Sequence, residues 1–203
     1  MKTIKLGFHG LDQIAIMFLC LCSINICAIP TQAQSSMKAL KTHSALKQNQ
    51  KAIDNYSKAL QANPKDEKTY CDRGNLYVIL KEYQKAIDDY CQALVLNPKD
   101  KVAYCNRGSV YAEQKEYDKA FDDYSKALAI DSKYEAVYNN RANVYYVTKQ
   151  YQKALADFSK ALRLEPKDGR NYVGRAKVYE AMGKHDLAKR ELAKAVKLGT
   201  KKD

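Results

Sequence analysis

Four tyrosines set 34 residues apart, Tyr70, Tyr104, Tyr138 and Tyr172, constrain this chain more than any other feature. Three further sets keep the same spacing: Arg73, Arg107, Arg141 and Arg175; Tyr77, Tyr111, Tyr145 and Tyr179; Ala86, Ala120, Ala154 and Ala188. Self-similarity at this period marks a stack of small units, because each unit leaves an apolar face that only its neighbour can cover. A closed globule would carry no such register.

The residues between the markers say what each unit is. With 8 Gly and 4 Pro in 203 residues, and blocks rich in Ala, Leu, Lys, Glu and Asp, the composition favours helices. In residues 67–100, Tyr70, Gly74, Tyr77 and Leu80 form one apolar stripe in three- and four-residue steps. Tyr83, Ala86, Ile87, Tyr90, Ala93 and Leu94 form a second. Two amphipathic helices are therefore expected, meeting in a short bend near Lys81 and Glu82, with Gly74 and Ala86 allowing close approach. Pro98 stops the second helix and Asp100 is placed to cap the next. The same punctuation recurs at Pro64 to Asp66 and Pro166 to Asp168, and Ser132 interrupts it once. The fold class expected is all-α, an α-solenoid of stacked antiparallel helix pairs.

At these residues the chain resembles the tetratricopeptide repeat family. The family pattern places an aromatic at position 4, small residues at 8, 20 and 27, aromatics at 11 and 24, and proline at 32. Counted from Glu67, Lys101, Glu135 and Gly169, position 8 reads Gly74, Gly108, Ala142 and Ala176. Position 24 reads Tyr90, Tyr124, Phe158 and Leu192, and position 27 reads Ala93, Ala127, Ala161 and Ala195. Complete repeats are expected at 67–100, 101–134, 135–168 and 169–202. A degenerate one is expected at 34–66, with Ser36, Leu40 and His43 where the first helix should carry Tyr, Gly and Tyr.

Position 7, usually leucine in this family, is arginine in all four complete repeats, and position 23 is acidic: Asp89, Asp123, Asp157 and Glu191. In a helix pair that bends near position 15 these two positions lie at similar height. Structural ion pairs are expected for Arg73 with Asp89, Arg107 with Asp123, Arg141 with Asp157 and Arg175 with Glu191. The alternative is an arginine row for an anionic ligand. The resemblance also implies that the first helices line a groove through positions 2, 5, 6, 9, 12 and 13. That surface would show Asp72, Asn75, Asn106, Ser109, Asn139, Asn140, Asn143 and Tyr146. Carboxamides both donate and accept, so such a row can hold an extended peptide by its backbone. The family's clamp for a terminal carboxylate needs Lys and Arg, and Cys71, Ala136 and Asn140 stand in their places.

The amino terminus is of a different kind. Lys2 and Lys5 precede an apolar stretch from Ile14 to Ile29, then Pro30 and a small residue, Ala33. This reads as a signal peptide over residues 1–33, cut after Ala33, and so as export to the periplasm or beyond. The alternative is an uncleaved anchor over 14–29, short of the roughly 20 residues a spanning helix needs. Cys71, Cys91 and Cys105 follow it, an odd number expected to stay as free thiols at helix interfaces. An intermolecular disulfide through Cys91 is the sharper alternative.

Lys and Arg number 35 against 23 acids, a net +12, and residues 169–203 alone hold ten bases against four acids. A last repeat has no successor and must face water, which accounts for a polar final helix; contact with an acidic partner or anionic lipid is the alternative. Nucleic acid is disfavoured for an exported chain whose aromatics serve the core. Three histidines, His9, His43 and His185, lie far apart, and no phosphate loop or nucleophile elbow is present. No cofactor, metal, catalytic residue or small-molecule substrate is expected. The partner expected is another protein.

Overall fold

The computed structural model describes the backbone of residues 31–199 and the side chains of residues 44–199. The expected signal segment lies outside them, apart from Thr31 to Ala33. Two units divide the chain, Met1–Lys47 and Gln48–Asp203. No described helix is long and apolar enough to cross a membrane.

Nine helices and no strand make up the described residues. They are α1 Thr31–Ala62, α2 Glu67–Ile79, α3 Tyr83–Leu96, α4 Lys101–Glu113 and α5 Tyr117–Ile130, followed by α6 Glu135–Val147, α7 Tyr151–Leu164, α8 Gly169–Ala181 and α9 His185–Lys197. From α2 onward they pair as expected, and each first helix from α4 on touches both helices of the preceding pair.

Local chemistry sets the boundaries. Asp66, Asp100 and Asp168 cap α2, α4 and α8, their carboxylates accepting from the backbone N–H of Thr69, Val102 and Arg170 at 3.3, 2.7 and 2.9 Å. Tyr134 begins α6 with no such bond. Each bend turns on one left-handed residue: Lys81 at φ 60°, Lys115 at 63°, Lys149 at 59° and Gly183 at 71°. The following N–H then folds back to the carbonyl of the position-11 tyrosine, as from Glu82 to Tyr77 at 2.8 Å.

Residues 33–66 differ from the helix pairs, since α1 runs unbroken through Lys47, the place corresponding to Lys81. In the second repeat Tyr77 and Tyr83 flank the bend and pack on one cluster with Ala86, Ile87 and Tyr90. His43 and Asn49 hold those places in α1. With no aromatic pair to hold a bend closed, the intrahelical hydrogen bonds continue.

The core runs along each pair as a column of small and aromatic residues. Ala86, Ala93, Ala120, Ala127, Ala154 and Ala161 are wholly buried, with Tyr90, Tyr124 and Phe158 beside them. Positions 8 and 24 match in size. Glycine at 74 and 108 meets a tyrosine, and an added Cβ would lie 3.0 Å from a ring carbon of Tyr90 or Tyr124. Alanine at 142 and 176 meets the smaller Phe158 and Leu192.

The four arginines bolt the pairs together. Arg107 donates from Nε and Nη2 to the two oxygens of Asp123 at 2.8 and 2.8 Å. Arg73 does the same with Asp89 at 2.8 and 2.7 Å, and Arg141 with Asp157 at 2.7 and 3.0 Å. Arg175 places both donors on Glu191 Oε2. A third arm crosses to the preceding second helix: Arg73 Nη1 reaches Ser57 Oγ at 3.1 Å, Arg107 Nη1 reaches Cys91 Sγ at 3.0 Å and Arg175 Nη1 reaches Ser159 Oγ at 3.1 Å. Each guanidinium also lies near a position-4 ring, 5.7 Å from the centroid for Tyr70 and Tyr104. The arginines are therefore consumed by the architecture, and their row does not present itself to an anionic ligand.

Candidate functional site

The first helices α2, α4, α6 and α8 present the face on which the groove residues were expected, and the structure ties those residues into rungs. Asn106 Nδ2 donates to Asn75 Oδ1 at 3.1 Å, and the Tyr90 hydroxyl donates to the same oxygen at 2.6 Å. One repeat further, Asn140 Nδ2 donates to Ser109 Oγ at 3.0 Å, with the Tyr124 hydroxyl 3.3 Å from that oxygen. Each rung thus joins position 6 of one repeat to position 9 of the one before. Burial pushes both phenols well above their ordinary range, so each keeps its proton.

The rungs leave a regular remainder. Asn75 Oδ1 already has two donors, so its amide N–H groups are left to give. Asn106 and Asn140 have spent an amide N–H and keep their carbonyl oxygens to receive. Donors and acceptors alternating along a face are what the backbone of an extended segment requires.

Between α4 and α6 the face deepens into a recess of about 390 Å³. Ala112, Val144 and Val147 give it an apolar side, Ser109, Tyr124, Asn140 and Asn143 a polar one, and Glu113 and Lys115 offset each other at its edge.

Three expected residues are placed differently from a free amide row. Asn139 is drawn into the junction, where its Nδ2 donates to Asn171 Oδ1 at 2.6 Å while Asn171 Nδ2 donates to Glu135 Oε1 at 2.5 Å. Asn143 folds back on Asn139, donating to its backbone oxygen at 3.0 Å and its side-chain oxygen at 3.2 Å. Tyr146 packs on Tyr151, centroids 6.2 Å apart. Asp72 holds on α2 the place that Asn106 holds on α4, half-buried. Asn171, fully buried, escaped sequence reasoning. Its signal was a polar residue at position 3, where the two preceding repeats carry Ala103 and Val137.

Glu67, Cys71 and Asp100 each bring a ligand-type atom within 4.8 Å of the others. Cys71 Sγ lies 3.6 Å from Asp100 Oδ2 and 3.9 Å from Glu67 Oε1. Burial, and then the carboxylates of Asp100 and Glu67, push its thiol up to about 12. Asp100 is already engaged as a cap. The thiol could ligate a divalent cation only by giving up that proton, and it reads as a protonated thiol donating to Asp100 Oδ2, with Glu67 Oε1 as the longer alternative.

Cys71, Cys91 and Cys105 are all free thiols. Burial, with a smaller push from the charge of Glu135, raises Cys105 to about 11. A raised value means less thiolate at neutral pH, so iodoacetamide at pH 8 is expected to modify Cys71 and Cys105 roughly 100 to 1,000 times more slowly than in the urea-unfolded chain. Peptide mass spectrometry over time reads this, and labelling of either at the unfolded rate would contradict it.

Comparison with known proteins agrees with this geometry. Profiles described as tetratricopeptide repeat match residues 102–134 and 136–168 in one case, and 33–66 and 169–198 in another, and a TPR repeat profile matches 74–115. No curated protein sequence matches the chain. Among solved structures, the crystal structure of MamA is 26% identical, covers 72% of this chain and 86% of its own, and superposes with a TM-score of 0.65. The TPR domain of Arabidopsis OM64 is 30% identical over 57% of this chain and 95% of its own, with a TM-score of 0.55. The first TPR of Spaghetti (RPAP3), bound to the HSP90 peptide SRMEEVD, is 26% identical over 58% of this chain and 93% of its own, with a TM-score of 0.55. By its repeat pattern, its helix pairs and these profiles, the chain belongs to the tetratricopeptide repeat family.

Proposed function

We propose that the protein is a non-catalytic scaffold that holds an extended segment of a partner protein along its first-helix face, and that it works after export to the periplasm. The rungs carry this reading. Asn75, Asn106, Ser109 and Asn140 are held in fixed orientation by one another, so a bound backbone would lose little freedom in aligning them. The recess between α4 and α6, where Glu113 and Lys115 offset each other at the edge, suits an apolar or amide side chain. A relative of this fold, the first TPR of Spaghetti, is bound to a peptide. That peptide is acidic, whereas Cys71, Ala136 and Asn140 stand here where a carboxylate clamp would need cations, so a segment held by its backbone is favoured. The basic groups of Lys2 and Lys5 before the apolar stretch support the export.

The test is crosslinking capture from the native cell envelope, with wild type beside an Asn106→Ala, Asn140→Ala double variant. The expected result is a partner captured by wild type alone, little affected by salt, on a chain beginning at Gln34. Equal capture by both forms would overturn the groove reading. Capture by both that fades steeply as salt rises would instead favour docking of the basic carboxyl-terminal repeat on an anionic surface.

A further inference from the structure

The last helix pair has an uncovered groove whose shape and charge define an occupant. Val173, Ala176, Ala188 and Leu192 form its apolar lining, and Lys177, Glu180, His185 and Lys189 its rim, around a volume of about 620 Å³. The pairs before it show what normally covers these places. Ala142, Ala154 and Phe158, the counterparts of Ala176, Ala188 and Leu192, are buried to within 1% beneath the 13-residue helix α8. At the last pair Ala176 and Ala188 are also buried, at 2% and 3%, so the opening lies at the half-buried Leu192 and Val173, and no described helix follows α9.

We propose that this groove receives an amphipathic helix of a partner protein, about as long as α8, with an apolar ridge flanked by acidic residues. The helical form follows from the position, since every equivalent face in the array is covered by a helix. The acidic flank follows from the rim. Glu180 is already engaged, its Oε1 lying 2.9 Å from His185 Nδ1, which leaves Lys177 and Lys189, both exposed, on either side of the apolar lining.

Two observations speak against a further copy of this chain as the occupant. At three of the four junctions in the array the following repeat is fastened by an arginine reaching Ser57, Cys91 or Ser159 at position 25, and the last repeat has Ala193 there, which has no side-chain acceptor to offer. Stacked head to tail, a second copy would bring α1, which carries Lys47, Lys51 and Lys58 against Asp54, onto a lysine rim. An acidic ridge gains where a basic one is repelled.

Two 14-residue helical peptides test the proposal, each with leucines spaced three and four apart, one flanked by Glu and the other by Lys, fluorescein-labelled and read by anisotropy on the full chain. The Glu peptide is expected to bind at least ten times more tightly than the Lys peptide, with affinity falling as salt rises. Lys177→Glu with Lys189→Glu, both at the exposed rim, is expected to reverse the preference, and Leu192→Asp to remove binding of either peptide. Circular dichroism confirms that the variants keep their helices, and the Asn106→Ala, Asn140→Ala form is expected to bind like wild type, which separates this groove from the first-helix face. Equal binding of the two peptides, no binding of the Glu peptide, or affinity indifferent to Leu192→Asp would overturn the proposal. Self-association of the chain that disappears in Leu192→Asp would also overturn it, by assigning the groove to a second copy.

Discussion

Arg107→Ala is expected to lower the stability of the array by about 3 kcal/mol, because it leaves the buried carboxylate of Asp123 with only the exposed ammonium of Lys126, 4.0 Å away, in place of its two-pronged partner. The Asp123 side chain is 3% exposed and that of Arg107 15%. The pair is held in a two-pronged geometry that an exposed pair rarely keeps, and Cys91 and the rings of Tyr104 and Tyr111 occupy the rest of the guanidinium surface. Hydrogen bonding to Asp123 is also the main reason that Arg107 holds its proton even more firmly than an ordinary arginine. Removing both charges in Arg107→Ala, Asp123→Ala should therefore cost less than removing the arginine alone. Urea titration of the single and double variants reads this directly. A surface-like loss, under about 0.5 kcal/mol for Arg107→Ala, would show that the carboxylate finds water or another partner and that the pair is not structural.

That result would bear on the groove as well as on stability. Arg107 projects from α4, the helix that carries Asn106 and Ser109, and its third arm fastens α4 to α3 in the preceding repeat. The rungs need neighbouring first helices in a fixed register, since Asn106 must find Asn75 across a repeat boundary at 3.1 Å. A helix that shifts by half a turn loses the rung. The staples and the rungs are thus two sides of one junction, the first setting its register and the second using it.

Spacing alone made most of this legible. A 34-residue period with small residues at 8, 20 and 27 leaves one way to pair the helices, and the bend near Lys81 follows from where one apolar stripe ends and the next begins. The charge pairs at 7 and 23 were legible because both partners lie within one repeat. What the sequence hid crosses from one repeat to the next. Position 25, read in isolation as Ser57, Cys91 and Ser159, gives no sign of receiving an arginine from 16 residues further on. The carboxamides are legible as a polar face, yet the sequence does not say that Asn106 and Asn140 spend a donor on Asn75 and Ser109. Nor does it say that Asn139 turns inward, because that depends on one substitution, Asn171, in another repeat. The unbroken α1 has a similar cause. Its missing aromatics are plain in the sequence, but whether a bend survives their loss is a balance of packing against hydrogen bonds that no single residue announces.

Gly174→Ala is expected to destabilise the protein by about 1–3 kcal/mol, against the usual sign for such a change. Replacing a glycine inside an open helix ordinarily gains about 0.5–1 kcal/mol, since alanine restricts the unfolded chain. At position 174 the added Cβ would lie 2.4 Å from both Cε1 and Cζ of Phe158. Phe158 is 1% exposed and packs among Ala142, Ala154 and Val178, so its ring has no empty space to move into. Either α8 shifts away from α7 or the ring leaves its rotamer, and both cost more than the helix gains. Phe158→Leu relieves the contact with a side chain that the last repeat already tolerates at this place, as Leu192. In the double variant the two losses should therefore sum to less than their separate values, which thermal denaturation of the four forms would measure. A higher melting temperature for Gly174→Ala would show that the ring yields freely and would remove the packing argument. The glycine has a consequence for the groove too: position 6 of the last repeat has no amide to give, so Asn143 receives no rung and turns back on Asn139. The ladder ends between the third and fourth complete repeats because Phe158 fills the space that the next asparagine would need.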